Sequence, residues 1–327
     1  MTRKIPALCL APFLLLGPAS VNAQVTVTTQ FAASASGLTA IERNAIDAHV
    51  RAATLAWTNE LRLAGPRALE IEIGIDEGVP TGNGTSLTTA FVGTVGARNL
   101  FEQGVAAELR TGTDPNSTAP DARFNFSTNY LRNELWFDPD PVARTAPVPV
   151  DRTDAMSVFL HEFGHAIAYN GWANGAGVPP PDYFSTFDRW MIAGTPTTFN
   201  GPVALAVRGS APDLTTNNIH HWGNSMLRKA APWTPLDVMP LLPGTAPVPH
   251  PACGAPASRD APPSRDAALR VDATGKGATS LIDELMNGVV FYRGSRYRIS
   301  ALDLAVLEDL ALELDDGGIF DNGFESP

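Results

Sequence analysis

Apolar and polar positions alternate along this chain with two periods, and the switches between them mark its elements. Over residues 38–63, Ile41, Ile46, Val50, Leu55 and Trp57 recur at helical spacing among charged residues, which predicts a helix. Residues 68–75 (ALEIEIGI) alternate apolar with polar and predict a half-exposed strand. A second helix is expected over 99–110, then a turn-rich loop over 112–120 (GTDPNSTAP). Residues 124–126 and 135–137 are short strand candidates. The strongest helix is expected over 154–169. There Met156, Phe159, Phe163 and Ile167 share one face, while His161, His165 and Ala168 share another. Asp151 or Thr153 can cap its start, and Asn170-Gly171 can stop it.

Beyond residue 171 the pattern weakens. The chain reads as loop-rich to Asn217, and residues 233–263 are so dense in proline that they predict an irregular surface insertion. Regular structure is expected again over 280–298. Ser300-x-x-Asp303 then reads as a capping box opening a last helix through Leu312, before a polar tail.

The first residues read as an export signal. Arg3 and Lys4 precede a short apolar run ending in Gly17-Pro18, and Val21-Asn22-Ala23 offers a cleavage site. The run falls short of the roughly 20 residues that a membrane span needs. The chain is thus expected to be α+β, divided into a signal (1–23), an N-terminal α/β subdomain (24–171), a less regular C-terminal subdomain (172–312) and a tail (313–327).

A formal charge of −11 opposes nucleic acid and anionic membrane surfaces as partners. Of the two cysteines, Cys9 leaves with the signal, so Cys253 stands alone and no internal disulfide is expected. Secretion, extracellular or periplasmic, with no membrane-spanning segment is the expectation.

His161-Glu162-Phe163-Gly164-His165 is an H-E-x-x-H motif. Residues four apart on a helix point the same way, so two imidazoles can reach one Zn²⁺. Glu162 lies one position round, where its carboxylate can take a proton from water acidified by the metal. A catalytic zinc site wants a third protein ligand. The spacing H-E-x-x-H-x-x-G-x-x-H would put it at 171, which is Gly171, so it must come from further on. His220 and His221 are candidates, and only one should bind because neighbours on an extended segment diverge. A carboxylate, Asp182 or Asp188, is the runner-up.

The stretches HEFGHAIAYNGW (161–172), HHWGNS (220–225), DELMNG (283–288) and ISALDLAVLEDL (299–310) resemble the leishmanolysin-like metzincins and related bacterial secreted peptidases. The resemblance implies a metzincin-like fold, with His221, directly before Trp222, as third ligand and Met286 as the Met-turn residue beneath the metal. Two features depart from that pattern: Ala168 replaces a helix-ending glycine, and Met239 rivals Met286 because the proline-rich stretch separates His221 from Met286.

The reading is therefore a secreted zinc-dependent endopeptidase acting on protein or peptide substrates, with Glu162 as general base and His161, His165 and His221 as ligands. Its rival is a secreted binding or surface-attachment protein that keeps the metal fold without turnover. Casein cleavage abolished by a chelator separates the two. If the proline-rich stretch is an insertion, replacing residues 244–267 with a short Gly/Ser linker should leave metal content and melting temperature nearly unchanged, since loop length costs grow only logarithmically. Loss of metal binding would show that the stretch carries structure and would favour Met239 over Met286.

Overall fold

A computed structural model describes residues 25–223, 281–288 and 291–315. The expected signal, the proline-rich stretch with Met239, His250 and Cys253, and most of the expected tail lie outside the described residues. The architecture is mixed α+β with several small sheets. Among the described residues no helix is long and apolar enough to cross a membrane.

Strand β1 (Val25–Phe31) alternates valine with threonine and buries Val25 and Val27. Helix α1 (Ala40–Thr58) opens with a capping box between Thr39 and Glu42, so it is shorter at both ends than expected. Ile46, Val50 and Trp57 enter the core, but Ile41 is 82% exposed, because it lies in the first turn before the helix meets the sheet. His49 lies mid-helix, a position from which the sequence predicts a solvated side chain, yet it is 1% exposed. Its Nδ1 meets the Ala45 carbonyl at 2.8 Å and its Nε2 accepts from the Asp138 amide at 3.0 Å.

Next come β2 (Arg67–Ile75), β3 (Gly82–Ser86), β4 (Thr89–Val95), β5 (Arg98–Gln103), helix α2 (Gly104–Thr111) and β6 (Ala122–Phe126). The helix expected over 99–110 is half wrong. Its first part is β5, which pairs antiparallel with β4 and parallel with β9 (Tyr183–Ser185). Ladder bonds to two neighbours override local propensity there. The main sheet runs β1-β2-β6-β3, with the first three strands parallel and β3 antiparallel at the edge. Pairing of Ile73 with Phe124 sets two buried side chains together.

After β7 (Leu135–Trp136) and β8 (Thr153–Asp154), helix α3 (Ala155–Ile167) packs against α1 and β3. Its cap is Asp154, which accepts from the Ser157 amide, rather than Asp151 or Thr153. Twelve of its 13 residues are buried, so both predicted faces are covered and only His165 reaches outwards. The Trp57 indole N–H donates to the Leu160 carbonyl at 2.8 Å and fixes α3 on α1.

The later chain holds β10 (Met191–Ile192), β11 (Thr198–Phe199), α4 (Pro202–Arg208), β12 (Leu214–Thr215), β13 (Asn218–Trp222) and α5 (Ala301–Asp309). Helix α5 has the predicted box between Ser300 and Asp303 but ends before Leu312. Of the regular structure expected over 280–298, the described residues hold only a 3-10 turn at Leu281–Asp283 and an isolated bridge of Asn287 to Trp222. That segment is held by side chains instead. Arg293 pairs with Glu134 at 2.5 Å, Arg296 pairs with Asp138 at 2.6 Å, and the Tyr297 amide donates to Ser157 Oγ at 2.7 Å.

Two glycines set how closely these parts approach. A Cβ on Gly164 would stand 2.5 Å from Met286 Sδ and 3.3 Å from the Trp57 ring; one on Gly84 would overlap the backbone carbonyl of Glu162. Overpacking costs roughly 1–3 kcal/mol and outweighs the ~1 kcal/mol that alanine gains over glycine in a helix. Gly164→Ala should therefore lower the urea midpoint, and Gly84→Ala should lower it further because backbone yields less than a thioether. Parent-like midpoints for both would contradict this packing.

Candidate metal centre

Helical spacing places His161 and His165 one turn apart on α3, and β13 brings His221 across to them. Their Nε2 atoms lie 3.0 Å (161 to 165), 2.9 Å (165 to 221) and 3.1 Å (161 to 221) apart. The far ring nitrogens fix the tautomers. Nδ1 of His161 meets the Leu285 carbonyl at 2.8 Å, that of His165 the Tyr169 carbonyl at 2.7 Å, and that of His221 the Asn218 carbonyl at 3.3 Å. A carbonyl can only accept, so each Nδ1 carries the hydrogen and each Nε2 presents a lone pair.

Burial keeps all three rings neutral. It pushes His161 down to about 4, and it pushes His165 and His221 well below the ordinary histidine range, helped by the neighbouring imidazoles. Three lone pairs facing one another with no proton between them repel, and a cation among them removes the repulsion. This trio could hold a metal ion. A tetrahedral ion with nitrogens at about 2.0–2.1 Å would set them roughly 3.4 Å apart, a few tenths of an ångström more than here.

Segment 284–288 serves the trio in three ways. It supplies the Leu285 carbonyl, it places fully buried Met286 beneath Gly164, and it braces the strand of His221. The Trp222 amide donates to the Met286 carbonyl at 2.8 Å, and the Gly288 amide donates to the Trp222 carbonyl at 3.0 Å. A Cβ on Gly288 would stand 2.7 Å from the Cβ of His221, so that position admits no larger residue without moving the histidine.

Behind the trio lies Asp303, which sequence reading identified only as a helix cap. Its Oδ1 accepts from the Tyr169 hydroxyl and the Trp222 indole N–H, both at 3.2 Å. One buried carboxylate thus ties together the residue whose carbonyl orients His165 and the residue next to His221. Burial, then the charge of Glu284, pushes its carboxyl up to about 7.

His220 faces away from the trio, with its Nε2 3.1 Å from Asp188 Oδ1. Burial pushes the Asp188 carboxyl up, but His220 and the amides of Trp172 and Ser185 outweigh it and hold it below the usual range. Asp188 is thereby engaged elsewhere, and Asp182 is exposed; neither carboxylate joins the three imidazoles. Tyr292, within the stretch where regular structure was expected, is half-buried in irregular chain.

Glu162 is buried, and burial pushes its carboxyl up to about 8 against the opposing effect of the Gly84 amide. The Tyr130 phenol lies near enough that the charge of Glu162 adds to burial in raising it well above its ordinary value. Gly84 is a further residue that sequence reading missed, since Gly82-Asn83-Gly84 carries no signal beyond turn propensity.

No family model, curated protein or solved structure matches the chain.

Metal analysis distinguishes the two neighbouring histidines. His221→Ala should lose the metal that the parent retains through dialysis, while His220→Ala and Asp188→Ala should retain it. Full occupancy in His221→Ala would remove that residue from the site.

Proposed function

We propose that the protein is a secreted zinc-dependent endopeptidase of the metzincin-like kind that its motifs resemble. The observation that carries this reading is the convergence of three neutral imidazole lone pairs beside a buried carboxylate on the same helical turn. An all-imidazole set of three, which leaves one position of a tetrahedral ion open, suits catalytic zinc. His161, His165 and His221 would hold it, with Met286 as the Met-turn residue.

When bound, zinc supplies an acidified water and a Lewis acid for the scissile carbonyl. The chain supplies the proton traffic. Glu162 takes the proton from the attacking water and returns it to the leaving amine, so one carboxyl serves as base and then as acid. Burial favours this exchange by bringing its proton affinity near neutrality. The Gly84 amide donates to the carboxylate from the sheet side and would restrain it while it exchanges the proton.

A peptide substrate is favoured by the strand that borders the site. β3 is the edge of the main sheet and lies directly against Glu162. An extended peptide can add to such an edge through its backbone, and one lying along β3 would pass the three histidines. The segments bearing His221 and Met286 would form the opposite wall. Export follows from the signal-like start, which also gives such an enzyme access to foreign protein.

Glu162→Ala tests the division of labour. It should keep about one zinc per chain while casein hydrolysis falls by ~10²–10⁴-fold, the usual contribution of a general base. Parent-like hydrolysis by this variant would remove Glu162 from the mechanism.

A further inference from the structure

A second group of ligating side chains lies on other elements. Glu108 sits in the last turn of α2, Asp114 in the loop that follows, and Asp121 at the entrance to β6. One oxygen from each lies within 4.8 Å of the others. We propose that these three carboxylates form a calcium site, independent of the three-histidine centre and of the function assigned to it.

The cluster is more than a patch of acidic surface. Glu108 is 4% exposed and Asp121 is 1% exposed. Glu108 Oε2 and Asp121 Oδ1 are buried with no hydrogen-bond donor facing them among the described residues. A buried carboxylate oxygen left unpartnered is costly, and the charge of Asp121 repels that of Glu108 as well. Nearby arginines are used elsewhere. Arg67 donates to the carbonyls of Gly65, Pro66 and Leu109, and Arg110 pairs with Glu102. No described arginine or lysine pairs with Glu108, Asp114 or Asp121.

The loop is shaped to bring oxygen inwards. Asp114 Oδ1 accepts from the amides of Asn116 and Ser117, each at 2.8 Å, and Ser117 turns the chain with φ of 63°. The amide nitrogen of Asn116 anchors on the carbonyls of Ala119 and Pro120, while its Oδ1 is also buried without a partner. Asp121 Oδ2 accepts from the Glu70 amide at 2.8 Å, which fixes the carboxylate and leaves Oδ1 free. Burial and the neighbouring carboxylates push the Glu108 carboxyl up to about 8, with Asp121 the leading charged neighbour, and they raise Glu70 as well.

The donor chemistry selects the ion. All donors are hard oxygens, several of them anionic, and no imidazole or thiolate belongs to the cluster, which disfavours zinc and copper. Calcium accepts six to eight oxygens in flexible geometry, whereas magnesium demands a near-ideal octahedron. A bound calcium would tie the end of α2 to the start of β6. Since β6 pairs with β3, it would also stiffen the strand whose Gly84 touches Glu162.

The test uses the full chain with its histidine site loaded with zinc, dialysed against roughly millimolar CaCl₂, the range of extracellular calcium modules. Metal analysis should find about one calcium per chain beside the zinc, and the melting temperature should rise by several degrees, as binding to the folded state requires. Glu108→Gln and Asp114→Asn should each weaken calcium binding at least ~10-fold and abolish the rise while zinc content stays constant. Asp114 is exposed, so its variant folds even if Glu108→Gln does not. Absence of calcium from the parent would overturn the proposal and leave carboxyls that share protons instead. Parent-like calcium binding in both variants would overturn it too, by placing the ion elsewhere.

Discussion

Three imidazole nitrogens, each with a lone pair and none with a hydrogen to share, lie 2.9–3.1 Å apart, and much of the structure serves to keep them there. Left alone they would separate, or one ring would protonate. Each is prevented by a backbone carbonyl that claims Nδ1 and by burial that disfavours the charged ring. The three carbonyls belong to residues 169, 218 and 285, far apart in the chain. The local arrangement of the trio is thus a property of the whole tertiary fold, and whatever ion it binds adds its binding energy to folding.

The links behind the trio explain why so much irregular chain can be positioned. Asp303 accepts from Tyr169 and Trp222 at once, and Met286 fills the space that Gly164 leaves on α3. Helix α5 is therefore a brace, and its capping box serves both helix and site through one carboxylate. Arg293 and Arg296 clamp the same C-terminal segment onto Glu134 and Asp138 near α3. Side-chain hydrogen bonds and ion pairs do here what a β-ladder would do in a more regular domain.

The pairing of His161 with His165 was legible in the sequence because a helix converts spacing directly into direction. So was the Ser300–Asp303 cap, which is a local interaction. His221 was not derivable from spacing, because β13 is placed by contacts distant in sequence, among them its bridge to segment 284–288 and the Asp303 bond to Trp222; family resemblance alone singled it out over His220. Features that depend on contacts distant in sequence were misread or missed. His49 looked solvated, yet Asp138 and Phe137 cover it; residues 99–103 looked helical until two strand partners claimed them. Gly84 and Gly288 matter because of what would collide with a Cβ, which periodicity cannot reveal. The same kind of distant contact buries the histidine face of α3, although its residues are polar.

The central claim is that one zinc is held by three imidazoles, one of them from His221. X-ray absorption at the zinc edge of the full-length protein tests it most directly. The expected first shell is three imidazole nitrogens and one oxygen, at about 2.0–2.1 Å, with the outer-shell scattering that rigid imidazole rings produce. A shell of two imidazoles with two or more oxygens would contradict it, because a carboxylate or water would then occupy the position assigned to His221.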